Sequence, residues 1–171
     1  MSATVLLGMM GAGKTTLGGL LAERLGAPYA SLDGMIAAAA GKDIPRIFAE
    51  DGEDEFRRQE TAALAEILAA DAAGVIDTGG GIVDRPANRE LLAASSARRI
   101  YLQAPAEILA ARIGTPEGRP MLVEGDLVPQ LAKLLERRDA HYRAAATIVF
   151  PTAEAAGPEE AAAELARLLQ E

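Results

Sequence analysis

Short apolar runs alternate along this chain with longer segments in which apolar residues recur every three to four positions. The runs are "TVLLG" (4–8), "PYASLD" (28–33), "GVIDT" (74–78), "ARRIYLQ" (97–103) and "TIVF" (147–150), each of strand length. Between the first two, "KTTLGGLLAERLG" (14–26) puts Leu17, Leu20, Leu21 and Leu25 on one side of a helix that Gly26 stops. Residues 35–70 read as helical, with breaks at Gly41, Pro45 and Gly52. A helix over 105–113 opens with Pro105, and longer ones follow at 128–146 and 158–170. Residues 114–126 have no period and carry glycines and prolines, which predicts a mobile loop. Strands alternating with helices predict an α/β fold: a parallel sheet of five strands flanked by helices on both faces. The helices at about 33–61 interrupt the alternation and are expected to form a substrate-binding insertion within one domain spanning 1–171.

Composition narrows the chemistry. The 171 residues suffice for one well-filled core, and half of them are hydrophobic. There is no cysteine and His141 is the one histidine, which excludes thiolate and multi-histidine metal sites. A net charge of −8 argues against a nucleic-acid partner held through phosphates. The apolar stretch Val5–Met10 is too short to span a membrane and lacks a basic leader. The expectation is a cytoplasmic protein without a membrane partner.

"GMMGAGKT" (8–15) fits G-x-x-x-x-G-K-[ST] at every fixed position, after a strand and opening a helix. Glycines at these positions turn backbone N–H groups inward around phosphate oxygens, and the helix N-terminus adds a favourable dipole. The cradle runs through Gly11, Ala12, Gly13, Lys14, Thr15 and Thr16. Lys14 is expected to reach the β- and γ-phosphates of ATP, and Thr15 to ligate Mg²⁺ through its hydroxyl. The G-x-G-x-x-G spacing of a dinucleotide site does not occur. Arginines gather elsewhere: Arg57 beside Phe56 and Glu60 at a helix start, Arg119 in the loop, and Arg137 and Arg138 in the long helix. Converging on a cleft of an acidic protein, they would mark an anionic ligand.

With these blocks in view the chain resembles the shikimate kinases over nearly its whole length. "GMMGAGKTT" looks like that family's opening signature, and "GKDIPRIFAEDGEDEFRRQE" resembles its second. "TGGG" (78–81), "GRPML" (118–122) and "RRDAHYR" (137–143) are similar to its other blocks, in the same order. The resemblance implies a P-loop fold like that of nucleoside-monophosphate kinases, with a lid at about 113–126. It also implies phosphoryl transfer from ATP to the 3-hydroxyl of shikimate, in a monomer. Arg57 and Arg138 then match the arginines that hold the substrate carboxylate. Gly80, between Gly79 and Gly81, matches a backbone donor to the substrate, where a Cβ would push the ring away. Asp33 matches the carboxylate facing the substrate hydroxyls, although it also stands where a cap before "MIAAAAG" would. Arg119 matches the lid arginine that reaches the phosphates, and Arg112 one that lies over adenine. Glu60, one helical turn from Arg57, is expected to position it.

Two departures from the pattern matter. Ser31 stands where the family carries the first carboxylate of an Asp-x-Asp, and "PTAEAAG" (151–157) has no arginine for the adenine side. Asp77, in turn, occupies a position that the family often fills with a small hydroxylated or apolar residue. We therefore expect an exchange: Asp77 supplies the metal-side carboxylate, Ser31 a hydroxyl, each acting directly or through water. For that, the strands ending at Ser31 and Asp77 must be neighbours facing Thr15. The alternatives are a kinase of the same fold acting on another carboxylated polyol such as gluconate, and a nucleotide-binding regulatory module without catalysis.

Overall fold

The computed structural model describes residues 3–70 and 74–170. Within them β1 (Thr4–Leu7), β2 (Tyr29–Ser31), β3 (Val75–Asp77), β4 (Arg98–Gln103) and β5 (Ile148–Pro151) form one sheet. Its order is β2-β3-β1-β4-β5, and every neighbouring pair is parallel. All residues of β1 and β3 are buried, as expected of central strands covered on both faces. The helices are α1 (Lys14–Leu25), α2 (Leu32–Ala40), α3 (Ile44–Glu50), α4 (Glu53–Ala69), α5 (Pro86–Ala94), α6 (Ala106–Ile113), α7 (Leu127–Ala145) and α8 (Pro158–Leu168). Helix α1 packs on α8, α6 on α7, and both α2 and α3 on α4. Among the described residues no helix is long and apolar enough to cross a membrane.

The element boundaries differ from expectation at three places, each for a local reason. The second strand stops at Ser31 because the Ser31 hydroxyl accepts a hydrogen bond from the Gly34 N–H at 3.2 Å and caps α2. Asp33 therefore lies in the first turn of that helix, and Ser31 rather than Asp33 is its cap. Pro45 does not break a helix; it sits in the first turn of α3, where its missing N–H costs nothing, and Asp43 caps that turn through the Arg46 N–H at 2.9 Å. Helix α5 was not anticipated between the third and fourth strands. Its signal is Pro86 in the opening turn, followed by a buried Asn88 and Leu92 one turn apart.

Residues 114–126 contain no helix or strand. Their turns are closed by the Arg119 N–H donating to the Pro116 carbonyl at 3.0 Å and the Leu122 N–H to the Arg119 carbonyl at 2.9 Å. Gln130 of α7 pins the far end by accepting from the Val123 N–H and donating to its carbonyl.

Candidate active site

The chain leaves β1 toward β2 on one side of the sheet and later passes from β3 to β4 on the other. The carboxyl ends of β1 and β3 therefore frame a crevice, the place where open parallel sheets bind ligands. The phosphate loop fills one wall. Gly11 and Gly13 have φ of 79° and 92°, in the left-handed region. A Cβ on Gly11 would stand 2.9 Å from the Leu109 carbonyl oxygen. Lys14 is buried, and its Nζ donates to the carbonyls of Gly8 (2.9 Å) and Met9 (3.0 Å). Burial lowers its pKa, opposed by the charges of Asp77 and Asp33. A cavity of about 740 Å³ runs from this loop to Arg112. The Arg112 guanidinium donates to the hydroxyl (2.9 Å) and carbonyl (3.3 Å) of Thr152, just beyond β5.

At the end of the phosphate loop the Thr15 hydroxyl donates to Asp77 Oδ2 at 2.6 Å, and the Tyr29 hydroxyl donates to the same oxygen at 3.2 Å. Asp77 Oδ1 has no hydrogen-bond partner among the described residues. Burial and the Asp77 carboxylate push the Tyr29 phenol up to about 12. Strands β2 and β3 are neighbours, and Ser31 is the register partner of Asp77. Both residues line the cavity, with the Ser31 hydroxyl already engaged as a helix cap.

A second cavity, of about 440 Å³, opens between α2, α4 and the glycine turn after β3. Arg57, 7% exposed, donates from Nη1 to Glu60 Oε2 at 2.9 Å, and its Nε lies 3.5 Å from Glu53. Glu60 thus positions Arg57, as its one-turn spacing suggests. Arg138 is 1% exposed while its neighbour Arg137 points to solvent, so α7 delivers only one of the adjacent arginines. Asp84 grips Arg138 through Nε (2.9 Å) and Nη2 (2.7 Å). Tyr142, one turn further on α7, donates to the Gly80 carbonyl and stacks on Tyr101 at 4.8 Å.

The triple glycine makes room chiefly for the protein's own side chains. A Cβ on Gly81 would stand 2.5 Å from Cζ of Arg57, and one on Gly79 would stand 2.9 Å from Glu60 Oε1 and 3.2 Å from Asp33 Oδ1. Those two carboxylate oxygens are buried without hydrogen-bond partners among the described residues. Burial raises the pKa of Asp33, with Lys14 opposing, and that of Glu60, with Arg57 opposing. Met10, Asp33, Gly79, Gly80 and Arg119 line both cavities, so the two meet there.

The residues singled out for the phosphate loop, the metal side, the acceptor and the lid lie along these two cavities, whereas Arg137 does not. Asp84, Tyr29, Tyr142 and Thr152 were missed as site residues. Each is hydrogen-bonded to a residue that was singled out, and sequence spacing carries no sign of such contacts. Only the proximity of Tyr142 to Arg138 in "RRDAHYR" hints at one.

A phosphate loop that opens through a shared wall into an arginine-lined cavity defines the class of protein, an ATP-dependent kinase of a small molecule. A family model for shikimate kinase matches residues 10–170. A shikimate kinase of Marinomonas sp. is 45% identical over 149 residues, covering 86% of this chain and 81% of that protein. Shikimate kinase from Acinetobacter baumannii, solved in complex with shikimate, superposes with a TM-score of 0.92 at 35% identity, covering 99% of this chain and 93% of that one. Shikimate kinase from Bacteroides thetaiotaomicron gives a TM-score of 0.89 at 30% identity, covering 99% of each chain. The chain belongs to the shikimate kinase family.

Proposed function

We propose that this chain transfers the γ-phosphoryl group of ATP to the 3-hydroxyl of shikimate, a step toward the aromatic amino acids. The observation that carries this reading is the shared wall of the two cavities, with the arginine pair on the far side from the phosphate loop. In this reading the N–H groups from Gly11 to Thr16 cradle the phosphates, and Lys14 exchanges its two carbonyl partners for phosphate oxygens. Arg112, anchored on Thr152, lies against the adenine. Arg57 and Arg138 hold the acceptor carboxylate, while the Gly79–Gly81 backbone faces its ring.

Asp33 has a buried oxygen without a partner at the junction of the cavities. It orients the attacking hydroxyl and takes its proton as the acceptor oxygen bonds to phosphorus and the bond to the ADP oxygen breaks. Arg119 lines both cavities and neutralises charge on the group in transit. Closure of its loop, 113–126, over the site would exclude water and limit ATP hydrolysis.

Mg²⁺, when bound, neutralises phosphate charge and holds the phosphates in geometry for transfer. The residues present fit it. The Thr15 hydroxyl gives its proton to Asp77, which leaves its oxygen lone pairs for the ion, and Asp77 Oδ1 is free to meet the ion or one of its waters. Among the described residues no cluster of three or more His, Asp or Glu could hold an ion, which suits a cation carried in on phosphates. With Ser31 committed to capping α2, Asp77 is the carboxylate of that site and Ser31 at most a water partner. We take the chain to act as a monomer and its compartment to be the cytoplasm.

A coupled assay of ADP release with shikimate, with gluconate and without acceptor tests the reading. Release that depends on shikimate is expected. Release with gluconate alone would make it a kinase of another carboxylated polyol, and no release with any acceptor would leave a nucleotide-binding module.

A further inference from the structure

Arg138 is 1% exposed, yet the acceptor is offered only part of it. A guanidinium has five N–H donors on three nitrogens. Asp84 takes Nε and Nη2 in a two-pronged grip, at 2.9 and 2.7 Å. Nη1 has Met9 Sδ at 3.9 Å, a weak acceptor, and lies 3.7 Å from where a Cβ on Gly80 would be, and the Tyr142 hydroxyl also interacts with the guanidinium. Arg57 is divided in the same way. Its Nη1 is on Glu60 and its Nε beside Glu53, while Nη2 has no hydrogen-bond partner among the described residues, and both Nη1 and Nη2 lie over Gly81.

Asp84 itself is anchored by its backbone. Its N–H donates to the Gly81 carbonyl at 3.0 Å, and its own carbonyl accepts from Arg89 at 3.2 Å. The anchor of Arg138 is thus part of the turn that carries the three glycines. The backbone from which Asp84 reaches Arg138 is held in place by that turn.

We propose that Asp84 is a positioning residue for acceptor recognition: by holding Nε and Nη2 of Arg138 it aims Nη1 at the cavity. The acceptor carboxylate then spans the two arginines, taking Nη1 of Arg138 and Nη2 of Arg57, and neither guanidinium grips it as a fork. Each arginine arrives with its own carboxylate, so the site selects by placement of N–H groups more than by an excess of positive charge. The inference rests on the assignment of Arg138 to the acceptor carboxylate.

The test compares the intact enzyme with Asp84→Ala and Asp84→Asn, using shikimate and its methyl ester, which has the same ring without the charge. For Asp84→Ala the shikimate KM should rise between about tenfold and about a hundredfold, as for a ligand displaced by a fraction of an ångström to an ångström. The KM for ATP should stay within about twofold, because uniform loss of ATP binding is not involved. The ester should lose little, since it lacks the full carboxylate that Arg138 meets. Asp84→Asn keeps the volume and one acceptor, and should raise the shikimate KM by an intermediate factor; it carries the test where the alanine variant does not fold. A shikimate KM unchanged or lowered in either variant would overturn the inference, the lowered case making Asp84 a competitor for Arg138. Equal losses for acid and ester would also overturn it, as a general structural effect. Wild-type enzyme that neither binds nor phosphorylates shikimate would overturn the functional reading and this inference together. Wild-type activity with unaffected variants would overturn the inference alone.

Discussion

Thr15 donates its hydroxyl proton to Asp77 at 2.6 Å across 62 residues of sequence, and Tyr29 completes the contact from the neighbouring strand. One oxygen of the carboxylate that ends this buried strand is thus engaged, and the other has no hydrogen-bond partner among the described residues. Its oxygens face a hydroxyl that a cation needs and the cavity that the phosphates would fill.

This relationship predicts a division of labour between Asp77 and its register partner Ser31. Asp77→Asn should raise the Mg²⁺ requirement and lower kcat by about 10-fold to about 100-fold, the usual range for groups that hold or orient metal ligands. Mn²⁺ titration of the ADP complex by electron paramagnetic resonance should weaken in parallel. Ser31→Ala should act on folding instead, costing about 1 kcal/mol for the lost cap with little change in Mn²⁺ affinity. The double variant Ser31→Asp, Asp77→Ser should regain part of the activity. Equal Mn²⁺ affinity in wild type and Asp77→Asn would remove Asp77 from the metal site.

Gly81 and Arg57 should fail together. A Cβ at Gly81 would fall on the Arg57 guanidinium, the movable end of a long side chain. Gly81→Ala should therefore fold and bind ATP normally but push Arg57 aside. The shikimate KM should rise on the scale expected for Arg57→Ala, where loss of one partner of a buried charge pair costs about 2–5 kcal/mol. Combining the two substitutions should add little further loss. Additive effects in steady-state kinetics would mean that Gly81 serves the ligand directly.

Arg119 lines both cavities where they meet. Arg119→Ala should lower kcat by roughly 100-fold or more while leaving the shikimate KM nearly unchanged, the mark of a contact made in the transition state. A variant that keeps its kcat and loses acceptor affinity would assign Arg119 to the acceptor pocket.

The tyrosines give a pH prediction. The chain has three tyrosines and no tryptophan, so absorbance at alkaline pH reports Tyr29, Tyr101 and Tyr142 alone. Burial is the main cause that raises all three, to about 12 for Tyr29. The unfolded chain loses these protons near pH 10, before the folded chain does. Stability present below pH 10 should therefore fall as pH rises toward and beyond 12. Tyrosinate absorbance should appear with unfolding, followed by circular dichroism, and not as a separate step near 10. Ionisation of Tyr101 or Tyr142 near 10 in the folded protein would contradict the burial described for them.

The parallel sheet and the phosphate loop were legible because both rest on local pattern: short apolar runs, helical periodicity, and glycines at fixed offsets from Lys14. Helix α5 escaped because its apolar stripe is short and begins with a buried Asn88, which breaks the expected polarity. Asp33 and Ser31 were found as site positions but their capping roles were reversed, since either side chain is able to cap and only the backbone turn decides. The arginine pair was legible as a pair, while the division of each guanidinium between carboxylate and cavity was not. Asp84 reaches Arg138 across 54 residues, a contact that no spacing rule encodes.

The identity of the phosphorylated product tests the central claim most directly. Purified chain incubated with ATP, Mg²⁺ and shikimate should yield one phosphorylated shikimate per ADP, with phosphorus–proton NMR correlation placing the phosphate on the oxygen at carbon 3. Phosphate on another hydroxyl, or ADP released without a phosphorylated acceptor, would contradict it.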